Sequence, residues 1–140
     1  NDNITRAETA AILCRMIESK GMIVDLPCTD VSTEDWFFPY VSAAYSKKLF
    51  SGKSSDTFAP KDGITREEMA TVLYRLGTFE KNDTADFADY DEISDWAKEA
   101  VASLSAAGVI KGNERGSFIP NNNITRAEAA VMLSRMRGAE

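Results

Sequence analysis

The sequence predicts an all-α chain assembled from helix–loop–helix repeats, and three observations predict it. Ile-Thr-Arg occurs at Ile4-Thr5-Arg6, Ile64-Thr65-Arg66 and Ile124-Thr125-Arg126, sixty residues apart each time. The same register holds for Trp36 and Trp96, Gly52 and Gly112, Phe58 and Phe118, and Pro60 and Pro120. A fixed long period of this kind marks a repeat architecture. Each Thr is also followed three residues later by Glu8, Glu68 or Glu128, the capping-box signature of a helix start.

The elements follow in order. The first helix is expected over 5–19, with Thr5 as N-cap and Ile4 as a hydrophobic staple. An acidic turn, Asp30 to Asp35, precedes a helix expected over 36–48, opened by Asp35 as N-cap. A loop punctuated by Gly52, Ser54, Ser55 and Pro60 follows, its Phe58 expected to anchor in the core. Thr65 starts a helix over 65–76, where Ala70, Leu73 and Leu76 form one apolar face. Residues 78–86 read as a polar linker. The pattern then repeats. A turn from Asp89 to Asp95 leads into a helix over 96–107, with Asp95 as N-cap and Gly108 as C-cap. A loop carrying Gly112, Phe118 and Pro120 and a helix over 125–136 complete the chain. The first unit supplies only its second helix.

Composition excludes several functions. The hydrophobic share is 44%, enough for a core, so disorder is not expected. The formal charge is −6 and the pI about 4.8, which argues against nucleic acid, whose partners need a basic face. An anionic partner must therefore be held by local positive groups. The absence of histidine removes the usual general base and metal ligand. Cys14 and Cys28 have no metal-ligand spacing and read as buried fillers, with a bridge between them left open. No cofactor is implied. No stretch reaches the roughly 18 apolar residues of a membrane span. The turn Asp89-Tyr90-Asp91-Glu92 lacks the Gly and spacing of a calcium loop.

The Thr–Glu pairs have a full structural explanation; the arginines do not. Arg6, Arg66 and Arg126 occupy the first helical turn, where the dipole disfavours a cation. A guanidinium beside free helix N–H groups suits an intervening carboxylate or phosphate. A salt bridge to an acidic loop is the plain alternative, and both readings stand at this point.

The whole pattern, Asp-Val/Tyr … Trp … Gly … Phe-x-Pro … Ile-Thr-Arg-Ala-Glu, resembles the S-layer homology (SLH) repeat. The resemblance covers nearly the full chain: 1–27 as the C-terminal half of one repeat, 28–85 as a second and 86–140 as a third, within one SLH domain. It implies a pseudo-threefold helical bundle, a three-pronged spindle. It further implies non-covalent, non-catalytic anchoring of a secreted protein at the bacterial cell surface, cell wall or S-layer. The partner implied is a cell-wall polysaccharide, commonly a pyruvylated glycan, whose carboxylate meets the motif arginine in a groove between neighbouring repeats. Carried over by position, the ligand-binding candidates are Arg6, Arg66 and Arg126, with Thr65 and Thr125 at the same helix starts, Trp36 and Trp96, and Gly52 and Gly112. For each Trp, core packing is placed ahead of sugar stacking; for each Gly, a turn with positive φ is placed first. Arg6 is expected to matter least, since its unit lacks the Trp helix and loop. Lys48 stands where the family has the helix-ending Gly, which predicts a weaker stop. Two other readings are kept: self-association through surface left bare by the incomplete first unit, with no membrane insertion and no nucleic acid in either case, and a glycan hydrolase using carboxylates such as Asp91 and Asp95.

Overall fold

The computed structural model describes residues 2–17, 26–50 and 56–139. Among them the regular structure is helical, as expected: α1 (Arg6–Met16), α2 (Phe38–Ser46), α3 (Arg66–Leu76), a short 3-10 turn at Tyr90–Glu92, α4 (Asp95–Ala106) and α5 (Arg126–Ala139). No strand is present among the described residues, only three isolated bridge pairs. The chain forms two compact units, Ile4–Gly63 and Asn1–Asn3 with Ile64–Glu140. In the first, α1 packs on α2; in the second, α3 packs on α4. The packed pair is thus the second helix of one sequence repeat with the first helix of the next. In Ile4–Gly63 the core holds Leu13, Val41, Ala44 and Phe58; in the other unit it holds Leu73, Val101, Leu104, Phe118 and Met136. Both loop phenylalanines are fully buried, so the anchor expectation holds.

Helix starts follow cap chemistry. Thr5 and Thr65 close full capping boxes, each hydroxyl accepting from the N3 amide while Glu8 or Glu68 accepts from the Thr amide. Thr125 and Glu128 do the same at 3.1 and 3.0 Å. The two first helices begin differently from expectation. α2 starts at Phe38, two residues after Trp36, because Pro39 has no N–H and fits only the first turn. Asp35 instead pins the preceding turn, its carboxylate accepting from Ser32 N at 2.8 Å. In α4 the N-cap is Ser94 and Asp95 is the first helical residue. Ser94 is held from outside its own helix: its N–H and hydroxyl both donate to Glu67 of α3, at 3.0 and 2.7 Å.

The helix expected over 5–19 ends at Met16, with Ile17 as C-cap; 18–25 lies outside the described residues. Residues 78–86 are no free linker. Phe79 stacks on Tyr74 at 6.3 Å, Asn82 N donates to Ser103 Oγ at 2.9 Å, and Asp83 O accepts from Tyr90 Oη at 2.7 Å. The strip is docked along α3 and α4 by aromatic contact and main-chain bonds. Cys14 and Cys28 are buried, unbridged thiols, their Sγ atoms donating to Tyr40 O and Tyr45 Oη. Burial pushes both thiols above their ordinary titration range, so neither is a poised nucleophile.

Lys48 does stop α2. It takes φ 59°, the left-handed conformation that Gly108 takes at φ 80°. In both cases the next residue's amide reaches back five positions, Leu49 N to Ala44 O and Val109 N to Leu104 O. That is the Schellman closure, made once with glycine and once with strain. Lys48→Gly should therefore stabilise the protein by about 1 kcal/mol, and Gly108→Ala, whose new Cβ meets nothing, should cost a similar amount. Urea midpoints of the two variants check this; an unchanged Lys48→Gly midpoint would refute the strain argument.

Candidate functional site

The site grows from the arginine that follows each capping threonine. Arg66 Nε donates to Phe118 O at 2.7 Å, and its guanidinium carbon lies 5.0 Å from the Phe118 ring centre. Its Nη1 donates to Glu128 Oε2 at 3.0 Å, and its Nη2 approaches Lys111 O at 3.5 Å. Arg6 repeats the seat in its own unit: Nε donates to Phe58 O at 2.7 Å, with the guanidinium carbon 5.0 Å from the Phe58 ring and 5.4 Å from Phe50. Arg6 is only 2% exposed. Each of these arginines thus takes the Phe-x-Pro loop of the following repeat, not of its own. Arg126 is exposed, and its main-chain N–H goes to Asp2 O. Arg6, expected to matter least because its own unit lacks the loop, is seated on the loop of the next repeat, whereas the Arg126 main chain meets Asp2.

The free helix amides expected beside Arg66 are not free. Arg66 N donates to Asn122 O, Glu67 N to Pro120 O, and Glu68 N to Thr65 Oγ1. The loop preceding the next Ile-Thr-Arg has already capped the first turn with its carbonyls. Thr65 and Thr125 each accept a cap bond from the N3 amide, and neither lines the groove at Arg66. What α3 offers a ligand is the guanidinium alone. The salt-bridge alternative is partly realised as well, with Glu128, a capping-box residue and not a loop acid, as partner.

Arg66 stands in a groove of about 390 Å³ within the unit Asn1–Asn3 with Ile64–Glu140. One wall is the loop from Ile110 through Gly112, Asn113 and Phe118 to Asn123; the other is α5 through Glu128, Val131, Met132 and Arg135. Three cations, Arg66, Lys111 and Arg135, line it against one carboxylate, Glu128. Burial pulls the Arg66 pKa down while Glu128 and Asp89 push it back up. The side chain is 14% exposed, enough to reach the groove.

The other candidates divide. Gly112 lines the groove but does not have a positive φ. A Cβ there would sit 3.2 Å from Gly116 C, Phe87 Cε1 and Ser117 O, so close approach, not turn geometry, demands glycine. Gly52 lies outside the described residues. Trp36 and Trp96 are 59% and 60% exposed, which overturns the core expectation. Their chain neighbours Phe37 and Ala97 take the inward direction instead, at 6% and 0% exposure. Trp96 is not among the groove-lining residues. Asp91 and Asp95 are both exposed, and Asp95 pairs with Lys98 at 3.2 Å.

Sequence reasoning missed Asp30 and Asp89. The Asp89 carboxylate accepts from Phe118 N and Ile119 N, both at 2.8 Å, and Asp30 does the same for Phe58 N and Ala59 N at 3.0 and 2.8 Å. The two aspartates head the matching acidic turns, but nothing local in the sequence shows that each carboxylate holds a loop turn twenty-eight to thirty residues downstream.

The S-layer homology domain family matches residues 29–70 and 86–130. A surface-layer 125 kDa protein of Lysinibacillus sphaericus is 35% identical over 136 residues, covering 94% of this chain and 12% of that protein. An amylopullulanase of Thermoanaerobacterium thermosulfurigenes is 34% identical over 139 residues, covering 95% of this chain and 7% of the relative. A cellulosome-anchoring protein of Acetivibrio thermocellus is 32% identical over 142 residues, covering 96% of this chain and 32% of the relative. The chain spans a minor part of each relative's length.

Sequence alone expects Thr65→Ala to cost more stability than Arg66→Ala. The contacts remove that difference. Thr65→Ala should cost about 1 kcal/mol through the lost cap. Arg66→Ala should cost about as much or more, because it strips Phe118 O and Glu128 of a charged donor. Chemical denaturation of both variants checks this; a neutral Arg66→Ala would mean that the seat carries no stability.

Proposed function

The chain belongs to the S-layer homology domain family, and from that premise we propose that it is a non-catalytic module anchoring a secreted protein to the bacterial cell surface through an anionic cell-wall polysaccharide. The observation that carries this is the groove at Arg66: three cations against one carboxylate, in a chain whose formal charge is −6. Such a groove takes an acid group by local attraction while the molecule as a whole repels polyanions. Arg66 spends Nε on Phe118 O and one Nη1 hydrogen on Glu128, leaving fork hydrogens directed elsewhere. A ketal-linked pyruvate supplies a carboxylate of the right size and planarity for that fork. Asn122, Asn123 and Ser117 offer hydrogen-bonding groups for sugar hydroxyls, and Val131 and Met132 an apolar wall for ring C–H faces. Several such grooves on one polymer would add avidity. The names of the relatives agree with this reading: one is a surface-layer protein and one a cellulosome-anchoring protein.

One observation favours self-association as a second reading. Ala127, Ala130 and Val131 of α5 are exposed, whereas the register equivalents Ala7, Ala10 and Ala11 of α1 and Glu67, Ala70 and Thr71 of α3 are buried. A second copy that covers this face would be seen as concentration-dependent sedimentation in the absence of glycan.

Titration calorimetry with purified wall polysaccharide tests the main reading. Arg66→Ala should weaken binding at least about tenfold, and Arg66→Lys should recover it only in part, because an ammonium cannot reproduce the fork. Arg126→Ala should have the smallest effect of the three arginines. Removal of the acidic substituents from the polysaccharide should mimic Arg66→Ala. Full affinity in a folded Arg66→Ala protein would sink the mechanism.

A further inference from the structure

We propose that Asp89 is a positioning residue for the anion groove: its carboxylate holds the Phe118–Ile119 turn in the conformation that presents the Phe118 carbonyl to Arg66, and thereby fixes the guanidinium at the groove wall. The inference rests on the anchoring function assigned to Arg66 and goes one step behind it. Four observations carry it. Ile119 has φ 58°, a left-handed conformation that a β-branched residue adopts only under constraint. The constraint is visible: the Asp89 carboxylate accepts from both Phe118 N and Ile119 N at 2.8 Å. The carbonyl between those two amides, Phe118 O, accepts from Arg66 Nε at 2.7 Å. The whole relay recurs in the other compact unit, where Asp30 holds Phe58 N and Ala59 N, Ala59 has φ 59°, and Phe58 O accepts from Arg6 Nε at 2.7 Å.

The chemistry demands an ionised acid at this place. Two adjacent amides point the same way, and one carboxylate can accept from both through its two oxygens. Asparagine can accept from one amide, but its NH₂ group faces the other donor. Without the double acceptor, Ile119 relaxes toward negative φ. The Phe118 carbonyl then turns from Arg66, and the guanidinium is left to Glu128 and the Lys111 carbonyl. Asp89 does not itself line the groove; it holds two residues that do, Phe118 and Ile119, and through the Phe118 carbonyl it acts on Arg66.

The test is a set of variants measured for affinity to purified acidic wall polysaccharide by calorimetry, and for the Arg66 side-chain Nε–H signal by nuclear magnetic resonance without any glycan. Asp89→Asn should lower affinity about tenfold and expose the Arg66 Nε–H to solvent exchange. Ile119→Gly removes the left-handed strain, so in that background Asp89→Asn should cost no more than about twofold and the Nε–H should stay protected. In an Arg66→Ala background Asp89→Asn should have no further effect on affinity. Should Asp89→Asn unfold the chain, the Ile119→Gly pair of variants gives the same comparison in a relaxed turn. A protected Nε–H and full affinity in Asp89→Asn, or an Asp89→Asn loss that persists on top of Arg66→Ala, would overturn the proposal while leaving Arg66 its role. Unaltered binding by Arg66→Ala would instead remove the anchoring reading, and the inference with it.

Discussion

A hydrogen bond from an arginine Nε to a phenylalanine carbonyl, made once in each compact unit, aims the helix side chain at the loop. The arginine opens the second helix of one repeat; the carbonyl belongs to the Phe-x-Pro loop of the next. Everything around the bond serves its geometry. The Thr–Glu box fixes where the helix begins, so the arginine leaves it at a set angle. The phenylalanine ring is fully buried and anchors the loop, while its carbonyl stays at the surface of the core. The loop then runs on to cap the same helix, its carbonyls accepting from the first two helical amides. A repeat is therefore a unit of sequence but not of packing. The unit of packing is the second half of one repeat with the first half of the next.

That distinction decides what the sequence could reveal. The helices and their Thr starts were legible because capping is local: four consecutive residues contain donor, acceptor and dipole. The buried Phe58 and Phe118 were legible as large apolar side chains in otherwise polar loops. The tryptophans misled because indole size argues for burial, yet Trp36, just outside α2, and Trp96, in the first turn of α4, both face out while Phe37 and Ala97 beside them face in. Gly112 was read as a turn residue, yet its constraint is crowding by Gly116 and Ser117 of its own loop and by Phe87, twenty-five residues upstream. The neighbours of Arg6 and Arg66 lie fifty-two residues downstream, a separation that periodicity does not encode. Asp30 and Asp89 did carry a signal: each heads its acidic turn. What the sequence does not show is their target, a loop turn twenty-eight to thirty residues downstream.

The anion reading has also changed in substance. The dipole argument placed the ligand on open helix amides, but those amides are consumed by Pro120 O, Asn122 O and Thr65 Oγ1. The misplaced cation therefore does two jobs. Its fork ties down a loop and the α5 capping glutamate, with Nη2 near Lys111 O, and the side chain lines a cationic groove. A guanidinium suits this division because its five donors are held in one rigid plane, so fixing some of them aims the others. A lysine could satisfy the carbonyl or the ligand but could not be aimed by one at the other.

Backbone strain in this protein falls into two classes with different consequences. Lys48 is left-handed at a helix end, where glycine serves equally well in the equivalent place, so its strain has no visible use. Ala59 and Ile119 are left-handed at the residue after the carbonyl that holds an arginine, and in both units an aspartate holds the turn. Glycine would adopt the same turn without strain and would leave the aspartate little to enforce. A residue that resists the conformation is thus clamped by a carboxylate that enforces it. The aspartate is the part of the sequence that makes a non-glycine residue tolerable after each loop phenylalanine.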